Sequence, residues 1–151
     1  MKKVLFVCLG NICRSPLGEA IFNEKAKNYQ LMADSAGTAA YHIGKDPDHR
    51  SIKVAQENGI MMIHKARKFE REDFERFDYV LAMDQQNYED MRALSGGEVS
   101  NLYLLREFDP LADGDMDVPD PYYGGYDGFI HVFEMISRSV DQLINHIQRE
   151  N

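Results

Sequence analysis

The segment VLFVCLGNICRSPLGEA, residues 4–20, constrains the fold more than any other part of the chain. An apolar, β-branched run from Lys2 to Cys8 predicts a strand that is buried on both faces. Apolar residues then recur with helical spacing, and Ser15 and Pro16 are residue types favoured at an N-cap and at the first position of a helix. The segment therefore predicts a strand, a tight loop and a helix, with a thiol at the end of the strand.

The same alternation continues along the rest of the chain. Further strands are predicted at Leu31 to Ser35, Asp78 to Met83 and Val99 to Leu105, and helices at Asp48 to Asn58 and about Asp84 to Leu94. A last helix has one apolar face, formed by Phe129, Val132, Phe133, Ile136, Val140, Leu143, Ile144 and Ile147. Strands that alternate with helices predict an α/β fold, in which a parallel sheet is covered by helices on both faces.

Size, charge and cysteine content narrow the class of protein. The chain has 151 residues, which suits a single domain spanning residues 1–151. We expect neither a targeting segment nor a membrane span, since no apolar run approaches the roughly 20 residues that a span needs. The net charge of −8 argues against nucleic acid and anionic membrane as partners. The two cysteines, Cys8 and Cys13, share one loop, so a reducing compartment, the cytoplasm, is the predicted location.

Residues 8–15, CLGNICRS, have the composition of an anion-binding loop. Ligands of parallel sheets bind beyond the carboxyl ends of the strands, where Cys8 is placed. Gly10 and Asn11 adopt positive φ most easily, and a loop wound in this way points backbone N–H groups inward, beside the positive end of a helix. Arg14 adds a planar fork of donors that suits two oxygens of one phosphate. A phosphate-like ligand is therefore predicted.

The same surroundings act on the thiol of Cys8. A helix N-terminus, inward N–H groups and a nearby guanidinium all favour a thiolate, which makes Cys8 a candidate nucleophile for phosphorus. A nucleotide-binding P-loop is rejected, because G-x-x-x-x-G-K-[ST] requires a second glycine and a lysine that this loop lacks. A cysteine at a strand end is more often only a small buried apolar residue, but Gly10, Asn11 and Arg14 favour the catalytic interpretation.

Six segments resemble the low-molecular-weight protein tyrosine phosphatases and occur in order along nearly the whole chain. They are CLGNICRSP from Cys8, DSAGT from Asp34, DPDHR from Asp46, HKAR from His64, FDYVLAMD ending at Asp84 and DPYYGG from Asp120. The resemblance implies that family's fold, a three-layer α/β arrangement with a four-stranded parallel sheet between helices (phosphotyrosine phosphatase I-like). It also implies hydrolysis of phosphotyrosine and other aryl phosphates through a cysteinyl-phosphate intermediate.

The resemblance further implies the role of each site residue. Cys8 is the nucleophile, Arg14 grips the phosphate, and Asp120, in a long loop from Arg106 to Gly128, protonates the leaving phenolate and then activates water. The expected substrate-binding residues are Leu9, Gly10, Asn11, Ile12, Cys13, Ser15, Tyr41, Tyr122 and Tyr123. Those expected to support the loop are Asn11, Ser15, Ser35 and His64 by hydrogen bonds, and Asp84 by orienting Arg14.

The expected ligands and partners follow from the same resemblance. They are phosphotyrosine proteins, with a cognate tyrosine kinase as one candidate, and inorganic phosphate or similar oxyanions in the loop. No cofactor and no metal are implied. A monomer and a weak dimer both remain open.

Alternatives remain at the level of sequence. An arsenate reductase on the same fold would need external thiols, because the chain has only Cys8 and Cys13. A non-catalytic module that binds phosphotyrosine or switches by thiol oxidation would have no use for Asp120. Cys13 is equally compatible with packing and with a resolving thiol that pairs with Cys8. Relatives that act on phosphoarginine tend to carry Thr at the position of Ile12 and to lack the tyrosines of DPYY.

Overall fold

The computed structural model describes residues 1–150 and contains a four-stranded, all-parallel sheet. The strand order is β2-β1-β3-β4. The strands are β1 (Lys2–Cys8), β2 (Leu31–Gly37), β3 (Tyr79–Ala82) and β4 (Leu102–Leu104). The predicted α/β fold with a four-stranded parallel sheet is therefore confirmed.

Helices cover both faces of this sheet. They are α1 (Arg14–Lys25), α2 (His49–Glu57), α3 (Asp73–Arg76), α4 (Gln85–Ser95) and α5 (Tyr126–Arg149), with a 3₁₀ turn at Leu105–Phe108. Val4 and Phe6 of β1 pack in the larger core with α1, α2 and α5, whereas Leu5 and Val7 point to the opposite face, where α4 packs. β1 is apolar on both faces because each face is covered.

The long C-terminal helix, α5, buries the apolar face that its sequence pattern predicts. All eight residues of its predicted apolar face are buried. Burial of one continuous face, rather than local propensity, accounts for most of the stability of such a helix. Among the described residues, no helix combines the length and apolar character needed to cross a membrane.

Several predicted element boundaries are wrong, for physical reasons that the structure shows. Strand β2 continues to Gly37 instead of ending at Ser35, because Ala36 and Gly37 still pair with Val7 and Cys8 of β1. The fourth strand is limited to Leu102–Leu104, because a 3₁₀ turn begins at Leu105 and the side chain of Glu107 accepts a hydrogen bond from the Leu104 N–H, at 2.7 Å. Helix α1 begins at Arg14 with Cys13 at its N-cap position, so Ser15 is not the N-cap. The Ser15 hydroxyl instead contacts Cys8 and Asn11, in the loop between β1 and α1.

The register of the sheet brings the carboxyl ends of its strands to one edge. Cys8 pairs with Gly37, and Val7 pairs with Ala82. The segments that follow β1, β2 and β3 therefore begin side by side. Cys8, Ser35 and Asp84, which are far apart in sequence, lie at or near this edge.

Candidate active site

The loop between β1 and α1 is wound tightly around Asn11. Asn11 is buried and has a positive φ of 58°, as predicted for this position. Its amide nitrogen donates to the hydroxyls of Ser15 and Ser35, at 2.8 and 3.1 Å, and its amide oxygen accepts from the Arg67 N–H, at 3.0 Å. A short polar side chain thus stabilises a backbone conformation that few residues adopt.

Gly10 does not have the positive φ that the sequence suggested. A Cβ at this position would lie 3.0 Å from Cδ2 of the His42 ring. The requirement for glycine therefore comes from the close approach of His42 and not from the left-handed backbone conformation.

The sulfur of Cys8 lies at the N-terminus of α1. Cys8 is only 2% exposed, and its Sγ lies 3.0 Å from the hydroxyl oxygen and 3.5 Å from the backbone nitrogen of Ser15. The Ser15 hydroxyl has one proton and two acceptors within reach, Cys8 Sγ and the carbonyl of Ala36, which is 3.3 Å away. A backbone N–H, a hydroxyl and the helix N-terminus can therefore all stabilise negative charge on this sulfur.

Arg14 is buried behind the loop and is oriented by two acceptors. Its Nη1 donates to Asp84 Oδ2, at 2.7 Å, and to the Val118 carbonyl, at 2.9 Å. Burial lowers the pKa of Arg14, but the negative charges of Cys8 and Asp84 and the hydrogen bond to Asp84 outweigh this effect, so the net pKa is raised. Because Nη1 is bonded to Asp84 and Val118, Nη2 is the guanidinium nitrogen that lies toward Asp120.

A polar network supports the loop from below. The hydroxyl of Ser35 donates to Glu19, at 2.7 Å, and lies 3.2 Å from His64 Nε2. The same Nε2 lies 2.7 Å from the side-chain oxygen of Asn11, while His64 Nδ1 lies 3.0 Å from Glu19. The structure therefore places Ser35 and His64 where loop support was expected, and adds Glu19, which the sequence prediction missed.

One group among the described residues has the composition of a metal site. Ligand atoms of Glu19, Asp34 and His64 lie within 4.8 Å of one another. Each of these residues already has a partner in the protein, because Glu19 binds Ser35 and His64, and Asp34 pairs with Arg67 at 3.2 Å. The group is best described as a network of ion pairs and hydrogen bonds.

Asp120 approaches the same place from the long loop before α5. Its Oδ2 lies 3.9 Å from Arg14 Nη2, and its side chain is 41% exposed. Its Oδ1 accepts from the Tyr122 N–H, at 3.1 Å, which closes a local turn. A carboxyl group in this position faces both the guanidinium and the solvent.

Cys8, Arg14 and Asp120 all line one cavity of about 270 Å³. It is lined by Cys8, Leu9, Gly10, Ile12, Cys13, Arg14, Tyr41, His42, Asp120, Tyr122 and Tyr123. Tyr41 and Tyr123 form an open wall, being 74% and 93% exposed. The side chains of Asn11 and Ser15, which the sequence predicted to bind substrate, are buried within the loop and do not line the cavity.

Cys13 lines the cavity but is chemically unlike Cys8. Burial raises the pKa of the Cys13 thiol well above its ordinary value, and the negative charges of Asp48 and Cys8 raise it further. Cys13 is therefore a neutral thiol at neutral pH. Both cysteines are free.

The sequence prediction missed His42, Glu19 and the pair Asp48–Arg50 at the start of α2. His42 follows the predicted wall residue Tyr41, and its ring packs edge-to-face on that tyrosine. Glu19 lies one helical turn after Ser15, a spacing that could have indicated it. Asp48 and Arg50 belong to the DPDHR segment, which carried part of the family resemblance but received no role.

Comparison with known proteins identifies the family. A sequence model described as "Low molecular weight phosphotyrosine protein phosphatase" matches residues 3–151. The chain belongs to this family. As a low molecular weight phosphotyrosine protein phosphatase it has the predicted enzyme class, a protein-tyrosine phosphatase and hence a hydrolase.

Individual members of the family agree in sequence and in structure. A low molecular weight protein-tyrosine-phosphatase of Streptomyces coelicolor is 40% identical, over 98% of this chain and 94% of that protein. The crystal structure of a protein tyrosine phosphatase from Entamoeba histolytica, with Hepes in its active site, has a TM-score of 0.91 and 34% identity, over 99% of both chains.

A third relative carries a phosphonate ligand. Vibrio vulnificus Wzb, in complex with benzylphosphonate, has a TM-score of 0.86 and 28% identity, over 96% of this chain and 98% of that one. Members of this phosphatase family therefore bind oxyanion ligands.

Proposed function

We propose that this phosphatase hydrolyses phosphotyrosine on proteins by transferring the phosphoryl group to Cys8, with Asp120 as the general acid and then the general base. The observation that carries the proposal is the convergence of three groups on one cavity: the Cys8 sulfur, the Arg14 guanidinium and the Asp120 carboxyl. These are a nucleophile, a bidentate phosphate ligand and a proton donor.

In the first step the thiolate of Cys8 attacks phosphorus. An S–P bond forms, the P–O bond to the tyrosine breaks, and the carboxyl proton of Asp120 passes to the departing phenolate oxygen. The leaving phenol has a pKa of about 10, so without this proton it would depart as a strongly basic anion. Arg14 Nη2 and the N–H groups at the start of α1 face the region where the phosphoryl oxygens would lie.

In the second step water replaces the sulfur. The Asp120 carboxylate takes a proton from water, the water oxygen bonds to phosphorus, and the S–P bond breaks to release phosphate and the Cys8 thiolate. The Ser15 hydroxyl, 3.0 Å from the sulfur, stabilises the thiolate as it leaves. The cycle ends with both groups in their starting protonation states.

The cavity walls favour an aromatic substrate. Tyr41, Tyr122 and Tyr123, with Leu9 and Ile12, offer aromatic and aliphatic contacts to a phenyl ring above the phosphate. A phosphoserine side chain is shorter and makes fewer of these contacts. The phosphonate ligand of the Vibrio relative supports a phosphate monoester at the base of the cavity.

The location proposed for the protein is the cytoplasm. A nucleophilic thiolate must remain reduced to work, and reducing compartments keep it so.

The phosphoenzyme is the decisive test. The enzyme is mixed with a ³²P-labelled phosphotyrosine peptide, quenched within milliseconds, and digested to locate the label. We expect the label on the peptide that contains Cys8, and we expect Cys8→Ser to abolish turnover and sulfur-linked label, while Cys13→Ser still becomes labelled. Label retained at full yield in Cys8→Ser would reject the mechanism.

Assays with phosphotyrosine peptide, arsenate and phosphoarginine separate the alternatives. A binding or redox module would bind the peptide without releasing phosphate. An arsenate reductase would oxidise two thiols to a disulfide for each arsenate reduced to arsenite, but would not turn over phosphopeptides. A phosphoarginine phosphatase would release phosphate faster from phosphoarginine than from phosphotyrosine at equal concentration.

A further inference from the structure

We propose that Arg50 is a positioning residue, which holds the segment carrying Asp120 in register with the phosphate-binding loop. The inference rests on the proposed function, because it concerns the proton transfers assigned to Asp120. Arg50 lies at the start of α2, does not line the cavity, and received no role from the sequence.

Arg50 grips the backbone immediately after Asp120. Its Nη2 donates to the Tyr122 carbonyl, at 3.0 Å, and its Nη1 donates to the Gly124 carbonyl, at 3.4 Å. The guanidinium also lies 5.6 Å from the centre of the Tyr122 ring. One side chain therefore contacts two residues of the DPYYGG segment, Tyr122 and Gly124.

The guanidinium is itself held in place by two other contacts. Asp48 accepts from Arg50 Nε at 3.0 Å and from Nη2 at 2.9 Å, and the ring centre of Phe129 lies 4.5 Å away. Burial tends to raise the pKa of Asp48, but the side-chain and backbone hydrogen bonds from Arg50 outweigh it and lower the net pKa. The lowered pKa of Asp48 favours its ionised form, which pairs with the Arg50 guanidinium.

The same short stretch of chain is bonded to the phosphate-binding loop. The Asp48 N–H donates to the Ile12 carbonyl, at 2.7 Å, and the Ser51 hydroxyl donates to the Cys13 carbonyl, at 3.2 Å. Residues 48–51 therefore connect the loop that holds the nucleophile with the segment that holds the acid.

Few other hydrogen bonds or ion pairs hold the segment that carries Asp120. On its N-terminal side, Val118 is fixed by a bond to the Met83 carbonyl, at 2.8 Å, and by Arg14. From residue 119 to residue 124, the hydrogen bonds and ion pairs that come from other parts of the described chain are those of Arg14 and Arg50. The one buried residue of this stretch is Pro121. Bound phosphate will compete with Asp120 for Arg14, so Arg50 is the contact that persists during the reaction.

This arrangement predicts a specific kinetic defect. Loss of the Arg50 contacts should displace Asp120 and leave the phosphate-binding loop intact, because the backbone bond from Asp48 to Ile12 remains. The rate of proton donation to the leaving group should fall, whereas the affinity for phosphate should not change. General acid catalysis is typically worth about 10²- to 10⁴-fold, so a misplaced acid is expected to lose a substantial part of that factor.

The test compares Arg50→Gln with Arg76→Gln. Arg76 is an exposed arginine, also paired with carboxylates, Glu70 and Asp73, and it does not line the cavity. For each variant, kcat/KM is measured with aryl phosphates whose leaving groups range from p-nitrophenol to phenol, together with Ki for inorganic phosphate and Tm.

For Arg50→Gln we expect kcat/KM to fall about tenfold or more with phenyl phosphate and clearly less with p-nitrophenyl phosphate, while Ki for phosphate stays within about twofold. Arg76→Gln should match the wild type in kcat/KM with both substrates and in Ki for phosphate. Arg50→Lys restores the charge but not the fork, and should give an intermediate defect. Equal loss with all leaving groups, or a parallel loss of phosphate binding, would show a general structural role and overturn the proposal.

A double variant separates this inference from the proposed function. If Arg50 acts through Asp120, the double variant Arg50→Gln/Asp120→Asn should have nearly the same kcat/KM as Asp120→Asn alone. Additive losses would overturn the positioning role even if Arg50→Gln lowers Tm. If the loss of kcat/KM caused by Asp120→Asn is the same for all leaving groups, the acid assignment itself fails. If that loss depends on the leaving group but the loss caused by Arg50→Gln does not, only the positioning role fails.

Discussion

The hydroxyl oxygen of Ser15 lies 3.0 Å from the sulfur of Cys8 and accepts a hydrogen bond from the side-chain amide of Asn11, at 2.8 Å. Because Asn11 donates to the oxygen, the hydroxyl proton is free to point at an acceptor. The Cys8 thiolate, which in the proposed mechanism attacks phosphorus and later leaves it, is the nearer and more strongly charged of the two acceptors in reach.

Ser15→Ala should therefore slow turnover without disrupting the fold. Hydrogen bonds to charged groups contribute about 1.5–3 kcal/mol, which corresponds to a loss of about 10- to 150-fold in kcat. The matched control is Ser139→Ala, since Ser139 is equally buried but donates to a carbonyl within α5. Steady-state kinetics with p-nitrophenyl phosphate decide the matter, and equal kcat values for the two variants would contradict the role given to Ser15.

Asp120→Asn should show how much the leaving group depends on a proton. Asparagine keeps the shape of the side chain but cannot supply the proton, so kcat/KM should fall most for phenyl phosphate and least for leaving groups that are already acidic. Asp113→Asn is a suitable control, because Asp113 is an exposed residue of the same loop, and asparagine tolerates its positive φ of 48°. A uniform loss across leaving groups would remove Asp120 from the role of acid.

Elements with a complete local pattern could be predicted from the sequence. β1 and α5 carry their signal within one continuous stretch, an apolar run in one case and an apolar face in the other. The placement of Cys8, Asn11 and Arg14 around one tightly wound loop could be predicted for a similar reason, since strand end, loop and helix start are adjacent in sequence. The N-cap assignment of Ser15 failed because the hydroxyl bonds Asn11 and Cys8 instead of a helix N–H.

Residues whose role depends on the meeting of distant segments could not be predicted in this way. Arg50 lies at the start of α2 and Tyr122 in the loop before α5, and only the order of strands and helices brings them into contact. His42 faces Gly10 across the loop for the same reason. A single sequence does not encode such contacts in any local pattern, so charge and motif alone gave Arg50 and His42 no role.

Gly37→Ala should weaken the phosphate-binding loop through backbone contact. A Cβ at this position would lie 2.8 Å from the Leu9 carbonyl oxygen and 3.1 Å from the backbone of Asn11. Gly37 cannot easily move away, because its N–H and carbonyl are bonded to Arg67 and Phe69. We expect a loss of about 1–3 kcal/mol in the free energy of unfolding and weaker inhibition by phosphate.

The control for this change is Gly97→Ala, where a Cβ would meet no atom within 4 Å and where no positive φ is required. Urea denaturation and phosphate inhibition are measured for both. A Gly37→Ala protein as stable as Gly97→Ala, with unchanged phosphate inhibition, would show that the loop tolerates the added methyl group.

Cys13 should make the protein less stable in alkali. Burial, with the charges of Asp48 and Cys8, raises the pKa of this thiol in the folded protein, whereas in the unfolded chain it ionises near its ordinary value of about 8.5. Above that pH the unfolded state releases a proton that the folded state retains, so the free energy of unfolding falls as pH rises. Cys13→Ala removes this group, and the stability advantage of the wild type over the variant should shrink by about 2 kcal/mol between about pH 7.5 and 10. Urea unfolding at intervals across this range measures the difference, in which the titration of the tyrosines cancels. Parallel stability curves would mean that the Cys13 thiol ionises as readily in the folded protein as in the unfolded chain.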